Sequence, residues 1–402
     1  MEKVFIVAAK RTPIGAFGGS LKNTSAGDLA AVAIKGALEA AKLAGDKVDE
    51  VIVGNVVGAG QGMGVGRQAA LFAGIPESVP AYGVNMVCGS GMKTVMDAVS
   101  HILSGDTEVA VAAGVEVMSQ IPFAAPSSIR DGNKMGNLEL KDLLVADGLT
   151  DVYNQYHMGV TAENVAKEIG LTRQQQDEYA LSSQQKAVAA IEAGKFKDEI
   201  VPVEVKQRRE TVLFDTDEYP KANATMEALS KLRPAFDREG TVTAGNASGI
   251  NDGASAIIVA SESAVKAHGL TPIAEIVSYA QSGLDPKIMG LGPVESVNKA
   301  LAKAELTVND IDVYELNEAF AAQALGVIHQ LAETNQVPVN AIQDKANFNG
   351  GAIALGHPLG ASGNRILVTL VHELHKQNGQ YGVASLCVGG GMGTAVVIKA
   401  VK

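Results

Sequence analysis

Cys88 lies in a setting that favours chemistry at its sulfur. It follows Val84-Asn85-Met86-Val87 and precedes Gly89-Ser90-Gly91, and apolar residues then recur at helical spacing over Met92–Leu103. This pattern predicts a buried strand that turns sharply into a helix at Cys88. Free amides and the positive end of the helix dipole stabilise a thiolate at such a turn, and the Cys88 amide can itself face an oxyanion. We interpret Cys88 as a nucleophile; the structural alternative is a buried, inert thiol.

His357 lies within Gly350–Gly363, a segment dense in glycine and alanine that precedes a predicted helix. The chain has seven histidines, and five of them lie in ordinary helical or helix-end contexts: His101, His268, His329, His372 and His375. A lone histidine is usually structural, but a general base needs the rigid frame that this segment offers. We interpret His357 as a general base.

Cys387 follows a predicted strand and precedes Gly389-Gly390-Gly391. Backbone amides in such a turn can form an oxyanion site, and Gly389 is the candidate donor. The residues alone leave two interpretations of Cys387 open, a catalytic thiol and a buried structural thiol. If the two ends of the chain meet, Cys88 and Cys387 share one pocket, where one serves as nucleophile and the other as acid or base.

Asn317 ends a predicted strand, and the segment Asn317–Ala321 begins a helix. An asparagine at this point can cap the helix. The functional alternative is that its side-chain amide positions a water or an oxyanion in a pocket.

The elements that must position these residues look duplicated. Val51–Asn55 resembles Val313–Asn317, and Gly89–Gly91 resembles Ala361–Gly363, at offsets of roughly 260 to 270 residues. In both copies a helix follows the small-residue turn, and a strand rich in glycine, alanine and valine follows the helix. Two similar α/β halves that pack together usually place a site at their junction.

The segment 120–249 differs from both ends because it is richer in charge and contains a helical pattern over Gln174–Ala193. Its basic residues include Arg130, Lys206, Arg208, Arg209, Lys221, Lys231, Arg233 and Arg238. We predict an inserted loop subdomain that covers the site and supplies positive charge; a solvated charged surface is the alternative. The first half then comprises 1–119 and 250–270, and the second half comprises 271–402.

The composition excludes several classes of protein. The chain has 402 residues, two cysteines and a net charge of −11, which argues against a disulfide scaffold and against a nucleic-acid or membrane-surface protein. The sequence contains no dinucleotide-binding fingerprint, no P-loop, no Gly-x-Ser-x-Gly elbow and no clustered zinc ligands. Its start and end show no targeting signal, so we expect a soluble, cytoplasmic protein.

Six motifs together are specific for one family, and the likeness runs essentially end to end. They are Arg11–Gly15, Asn85–Gly91, Gly245–Ala254, Asn317–Ala321, Gly350–Gly363 and Cys387–Gly393. The chain resembles the thiolases, most closely their short-chain, biosynthetic branch. This resemblance implies an α/β fold of two similar halves in five layers, α-β-α-β-α, with an inserted loop subdomain.

The resemblance also implies an activity and a role for each candidate residue. Two acetyl-CoA molecules would condense reversibly, in a Claisen condensation, to acetoacetyl-CoA and CoA. Cys88 would carry the acetyl group as a thioester, His357 would activate Cys88, and Cys387 would remove the α-proton of the second acetyl-CoA. One oxyanion site would use His357 and a water held by Asn317; the other would use the amides of Cys88 and Gly389.

For the ligands, the resemblance implies that Ser248 and His157 lie near the pantetheine and thioester ends of coenzyme A. The coenzyme A thioesters are substrates, so no cofactor and no metal are expected. The family's oligomers imply a homotetramer or a dimer, with the insert in the tetramer contacts. The product would feed lipid or isoprenoid precursor metabolism.

Rival functions differ in the residues that they require. A degradative 3-ketoacyl-CoA thiolase for longer chains is the alternative, and Met92 and Thr94, where relatives often carry leucine and alanine, leave the acyl-chain preference open. A decarboxylating ketoacyl synthase would use two catalytic histidines, whereas this chain pairs His357 with Cys387. A relative that only binds acyl-CoA would need neither thiol.

Overall fold

The apolar segments near both chain ends form strands of one mixed sheet. The structure is a computed structural model and describes residues 2–207 and 209–402. Its strands are β1 (Val4–Arg11), β2 (Gly15–Ala16), β3 (Glu50–Gly54), β4 (Ala81–Val84), β5 (Val109–Val117), β6 (Phe123–Ala124), β7 (Lys141–Asp142), β8 (Thr150–Asp151), β9 (Tyr156–His157), β10 (Val203–Gln207), β11 (Glu210–Phe214), β12 (Asn251–Ser261), β13 (Ala274–Gly283), β14 (Val313–Leu316), β15 (Tyr381–Val388) and β16 (Met392–Ala400).

The largest sheet repeats one strand arrangement in two halves. Its order is β14-β15-β16-β13-β1-β12-β5-β3-β4, and β2 pairs with β12. β3 runs parallel to β4 and β5, and β14 runs parallel to β15, whereas β12 and β16 run antiparallel to their neighbours. The halves join where β1 pairs with β13 at two positions, Phe5 with Glu275 and Ile6 with Ala274.

The helices follow the predicted periodicity closely. They are α1 (Ala26–Ala41), α2 (Val65–Phe72), α3 (Ser90–Ser104), α4 (Met158–Ile169), α5 (Arg173–Glu192), α6 (Met226–Ser230), α7 (Glu262–His268), α8 (Gly292–Lys303), α9 (Ala321–Thr334), α10 (Asn340–Gln343), α11 (Ala352–Leu355) and α12 (Leu359–Lys376). The helix predicted over Gln174–Ala193 is α5, whose start is capped reciprocally by Thr172 and Gln175.

Five layers result from this arrangement, as predicted. α3 and α12 pack against each other and against strands of both halves, so they form the central layer. One apolar core takes residues from these two helices and from both halves of the sheet, for example Met96, Leu367, Ile257 and Val396. α1 and α2 cover the outer face of the first half, and α8 and α9 cover that of the second. The predicted fold class is confirmed.

The segment 120–249 contains β6 to β11 and α4 to α6, and its helices α4 and α5 pack on α9. A buried ion-pair network ties it to β1. Arg11 donates to Glu199 at 2.6 Å and to both carboxylate oxygens of Asp217 at 2.7 and 2.9 Å. Removing one partner of such a buried pair costs about 3–5 kcal/mol. The predicted segment boundaries stay a prediction.

Two expectations about local structure were wrong. The strand before Cys88, expected to be buried, is β4, whose residues are half-buried or exposed because it lies at the sheet edge and pairs only with β3. Asn317 does not cap a helix, since α9 begins at Ala321 and the cap position is Phe320. Within the described part of the chain, no helix is long and apolar enough to cross a membrane.

Candidate active site

Side chains on either side of Cys88 hold its turn in place. Asn85 Oδ1 accepts from the Val87 amide at 2.9 Å. Ser90 Oγ accepts from the Met86 amide at 2.9 Å and donates to the Val87 carbonyl at 2.6 Å. Val87 has a φ of +47°, which is a strained value for a β-branched residue. These contacts impose a backbone conformation that presents the Cys88 side chain at the start of α3.

The backbone amides of Gly389 and of Cys88 itself lie close enough to the Cys88 sulfur to lower its pKa. Even so, burial raises the pKa of the Cys88 thiol to about 11, and the charge of Glu116 adds to this effect. The sequence-based expectation of a stabilised thiolate was therefore wrong for the resting site, because desolvation outweighs the amides. Cys88 needs a base to become a nucleophile.

Cys387 lies at the end of β15, fully buried, and close enough to Cys88 that the Cys88 thiolate raises its pKa, in addition to burial. Both cysteines are free. A Cβ at residue 389 would lie 3.2 Å from Val87 Cγ1, so a glycine there lets the amide of Gly389 approach the Cys88 sulfur. The structure brings the two thiols and the Gly389 amide together.

His357 is held at its backbone and at one ring nitrogen. Its amide donates to Asn251 Oδ1 at 3.1 Å, and Nδ1 lies 2.6 Å from Ser362 Oγ. Because the Ser362 hydroxyl donates its one proton to the Pro358 carbonyl at 2.9 Å, Oγ accepts from the Nδ1–H. Nε2 is then the unprotonated nitrogen, and it is buried without a partner among the described residues.

The surroundings of His357 keep the ring neutral. Burial and, secondarily, the positive charge of Arg365 lower the pKa of His357 to about 4. At neutral pH the imidazole therefore carries a free lone pair at Nε2, which is the state of a general base.

Asn317 follows β14, and its backbone amide donates to the Ser385 carbonyl at 3.0 Å. Its side-chain Oδ1 and Nδ2 are both buried and have no partner in the described part of the chain. Buried polar atoms are rarely left unpaired in proteins unless a ligand or water uses them. The side chain is thus free to bind a water or an oxygen of a substrate.

A cavity of about 460 Å³ lies beside these residues. Both residues predicted to bind coenzyme A, His157 and Ser248, line it, and so does His357. Its other lining residues are Ala16, Phe17, Met118, Leu149, Tyr219, Ala235, Phe236, Ala244, Ala247, Gly249, Ile250, Phe320 and Leu359. The His157 ring stacks on Phe236 at 4.6 Å, and its Nδ1 accepts from the Gly159 amide at 3.0 Å. The cavity is mostly apolar with a few fixed polar groups, as is typical of ligand sites.

Comparison with known proteins identifies the family. Residues 4–263 match the thiolase N-terminal domain, and residues 270–400 match the thiolase C-terminal domain. The chain belongs to the thiolase family. The resemblance inferred from the sequence motifs is thereby confirmed.

The relatives of this thiolase match it over nearly its whole length. An acetyl-CoA acetyltransferase of Cupriavidus necator is 54% identical over 99% of this chain and 100% of its own, and one of Escherichia coli is 53% identical over 99% of each. The crystal structure of the Bacillus anthracis acetyl-CoA acetyltransferase has a TM-score of 0.95 at 44% identity, covering 100% of this chain and 99% of its own. Human mitochondrial 3-ketoacyl-CoA thiolase in complex with CoA has a TM-score of 0.93 at 46% identity, covering 100% and 98%.

Sequence reasoning missed three residues of this thiolase that hold the others in place: Glu116, Asn251 and Ser362. Glu116 was recognisable as the one charged residue in the apolar strand Val109–Val117, because an isolated charge in a buried strand needs specific partners. Asn251 and Ser362 lie inside recognised motifs, but their contacts with His357 cross between distant segments or around a turn, which spacing does not reveal.

Seven of the basic residues singled out in the insert are exposed on this thiolase: Arg130, Lys206, Arg209, Lys221, Lys231, Arg233 and Arg238. Arg208 lies outside the described residues. No three His, Cys, Asp or Glu side chains within 2–207 and 209–402 lie close enough to hold a metal ion. The expectation that the enzyme uses no metal stays a prediction.

Proposed function

We propose that this thiolase is an acetyl-CoA C-acetyltransferase, which condenses two acetyl-CoA molecules reversibly to acetoacetyl-CoA and CoA. The observation that carries the proposal is one buried site in which the Cys88 sulfur lies beside the Gly389 amide and a second thiol, Cys387. Full-length relatives at 54% and 53% identity that are named acetyl-CoA acetyltransferase support the choice of acyl group.

In the first half-reaction, Nε2 of His357 takes the proton of the Cys88 thiol, and the thiolate attacks the thioester carbonyl of acetyl-CoA. The developing oxyanion is stabilised by amides such as those of Cys88 and Gly389. The intermediate collapses to acetyl-Cys88, and the departing CoA thiolate takes a proton from Cys387. The site then contains an imidazolium at His357 and a thiolate at Cys387.

In the second half-reaction, the Cys387 thiolate takes the α-proton of a second acetyl-CoA. Burial raises the pKa of Cys387, so its thiolate is a strong base, as a weakly acidic carbon requires. The imidazolium and a water held by Asn317 stabilise the enolate oxygen. The enolate attacks acetyl-Cys88, acetoacetyl-CoA forms, and the departing Cys88 thiolate recovers its proton from His357. Both thiols are thereby restored.

Coenzyme A thioesters are the substrates of this reaction. Every step moves a proton or an acyl group, so the proposal includes no metal and no redox cofactor. Pantetheine would lie in the apolar cavity between Ser248 and His157, and exposed basic residues of the segment 120–249 would meet the phosphates.

Assembly, location and metabolic role extend the proposal. A homotetramer, or a dimer, is supported by exposed apolar side chains in the insert such as Met135 and Leu140. A cytoplasmic location is supported by the two free cysteines, which a reducing compartment preserves. Acetoacetyl-CoA would serve lipid or isoprenoid precursor metabolism. Size-exclusion chromatography with light scattering measures the assembly.

The decisive experiment is acid-quenched peptide mass spectrometry after incubation with acetyl-CoA. We expect one acetyl group, on the peptide that contains Cys88, and none in the Cys88→Ala variant. An acetyl group on another residue, or no acetyl group on the wild-type protein, would overturn the mechanism.

Chain-length preference separates the proposed enzyme from a degradative thiolase for longer chains; one structural relative is named a 3-ketoacyl-CoA thiolase. Thiolysis rates with acetoacetyl-CoA and with longer 3-ketoacyl-CoAs measure it. We expect kcat/KM to be highest for acetoacetyl-CoA, and a preference for long chains would favour the alternative.

A further inference from the structure

Glu116 is a buried carboxylate to which the proposed mechanism assigns no step. It lies near the end of β5, where every residue is buried, and its own side chain is fully buried. Burying a carboxylate is costly unless hydrogen bonds compensate for the lost water. The groups that donate hydrogen bonds to this carboxylate therefore indicate its role.

Four neutral amides donate to this carboxylate. Oε1 accepts from Asn55 Nδ2 and from the Val57 amide, both at 3.1 Å. Oε2 accepts from the Val56 amide at 3.0 Å and from the Gly360 amide at 2.8 Å. The first three donors follow β3 in the first half, whereas Gly360 lies in the first turn of α12 in the second half. The carboxylate thus joins the two halves across their interface.

On the α12 side, this contact fixes the segment that holds His357. Gly360 lies three residues after His357 and two before Ser362, the partner of its Nδ1. A Cβ at Gly360 would lie 2.7 Å from Glu116 Oε2 and 2.9 Å from Asn55 Cα, so glycine is what permits the approach. Amides in the first turn of a helix favour a negative charge.

On the other side, a chain of hydrogen bonds leads from Glu116 to the nucleophile. The Val56 amide donates to Glu116, and the Val56 carbonyl accepts from Asn85 Nδ2 at 3.0 Å. Asn85 Oδ1 accepts from the amide of Val87, the residue before Cys88, at 2.9 Å. Glu116 therefore contacts both the segment that holds the Cys88 turn, through Val56, and the segment that holds His357, through Gly360.

We propose that the ionised carboxylate of Glu116 is a positioning group that holds the Cys88 turn and the His357 loop at their working separation. This inference rests on the proposed function. Protonation would place an O–H against amide N–H groups and so loosen the contact. Burial raises the pKa of Glu116 to about 7, and the like charge of Asp252 on β12 adds to this. The contact is intact above that pH and is lost below it.

The titratable groups that face this contact include Cys88, His357 and Asp252. The pKa of Cys88, which precedes α3, is raised to about 11, and that of His357, which precedes α12, is lowered to about 4. Burial also raises the pKa of Asp252, while two hydrogen bonds from Ser119 oppose this. An ionisation near neutral pH that disappears with Glu116→Gln is therefore assigned to Glu116.

The test is the rate at which iodoacetamide alkylates Cys88 in the full-length protein, followed by peptide mass spectrometry below and above neutral pH. We expect the wild-type rate to contain a step with a midpoint near pH 7. Removing the Glu116 charge also lowers the pKa of Cys88 slightly, but loss of the positioning contact should outweigh this effect. Glu116→Gln should therefore lack the step and react about tenfold more slowly above it, with kcat for condensation reduced more than KM is changed. The control is Glu373→Gln, which removes a different buried carboxylate. Glu373 lies on α12 and accepts from Asn349 Nδ2 at 2.7 Å. This control variant should alkylate like wild type.

Two results overturn the inference. The first is a folded Glu116→Gln variant that alkylates at the wild-type rate at every pH. The second is a folded variant that is slowed by the same factor at every pH, as a merely structural role would predict. If Glu116→Gln does not fold, Glu116→Asp decides, because it keeps the charge and must keep the step. Alkylation needs no substrate, so a wild-type protein that alkylates as expected but forms no acetoacetyl-CoA would overturn the proposed function alone.

Discussion

β3 and β5 in the first half and β14 and β15 in the second half form the same kind of parallel pair. By the register of these pairs, Asn55 and Asn317 occupy equivalent positions, and so do Glu116 and Cys387. In the first half the two side chains satisfy each other, since Asn55 Nδ2 donates to Glu116 Oε1 at 3.1 Å. In the second half both polar atoms of Asn317 lack a partner among the described residues, and a thiol replaces the carboxylate.

The difference shows how one scaffold position serves two purposes. In the first half, the side chains that follow β3 and end β5 hydrogen-bond to each other and hold the loop after β3 against α12. We call this pair of strand ends the closed end. In the second half, the side chains at the equivalent positions do not hydrogen-bond to each other. The buried polar atoms of Asn317 have no partner among the described residues, which is costly unless a ligand or water binds them. We call this pair of strand ends the open end. The two halves thus have equivalent strand ends, of which one holds neighbouring segments in place and the other, in the proposed mechanism, carries out chemistry.

Among changes in the open end, we expect the largest effect from Cys387→Ala. We expect condensation to fall by about 1,000-fold, because the α-proton of the second acetyl-CoA loses its base. Acetylation of Cys88 should still occur, and peptide mass spectrometry with a coupled assay of acetoacetyl-CoA formation checks both. Condensation at the wild-type rate would show that another group is the base.

The pH dependence of stability tests the environment of His357, which precedes α12 as Cys88 precedes α3. The pKa of His357 is about 4 in the folded protein against an ordinary value of 6.5, so the unfolded chain binds more protons between these values. Stability from this group is present above pH 6.5 and is lost as the pH falls toward 4, by up to about 3 kcal/mol. Urea-unfolding curves of wild type and His357→Gln over this range measure the difference. Equal slopes in the two proteins would contradict the buried, neutral ring.

Asn317→Ala removes the open amide. We expect kcat for condensation to fall by about 100-fold, as for the loss of one oxyanion donor. The midpoint of urea unfolding should not fall by much, since the side chain makes no hydrogen bond within the described residues. A large loss of stability with little loss of activity would assign Asn317 to structure instead.

Asn55→Ala is the matched change in the closed end. We expect the opposite balance, a loss of stability of about 1–2 kcal/mol with an activity loss smaller than that of Asn317→Ala. The physical reason is that Asn55 Nδ2 donates to Glu116 and to the Val115 carbonyl at 3.3 Å, and both are left with fewer donors. Unfolding midpoints and kcat of the two alanine variants, measured side by side, decide whether the halves differ as described.

The candidate site residues could be singled out from sequence because each lies in a local pattern. The sequence itself shows the glycines beside Cys88 and Cys387 and the small residues around His357. Its repeated motifs indicated two similar halves. A local pattern also placed α5 correctly, and the family resemblance implied the five layers.

What could not be predicted depends on groups distant in the chain. The exposure of β4 follows from its place at the sheet edge, and the raised pKa of Cys88 follows from desolvation by both halves. The partners of Glu116 come from residues about sixty positions before it and more than two hundred after it. No spacing rule connects such segments.

The long sequence separation between β1 and its partner β12 has a consequence during synthesis of the chain. β1 pairs with β12 and β13, so its neighbours lie some 250 residues further on, beyond the segment 120–249. At about 5–20 residues per second, β1 leaves the ribosome roughly 10–50 s before β12 does. During that interval an apolar strand has both edges unpaired, which makes the N-terminal strand the part of the nascent chain with the longest exposure to aggregation.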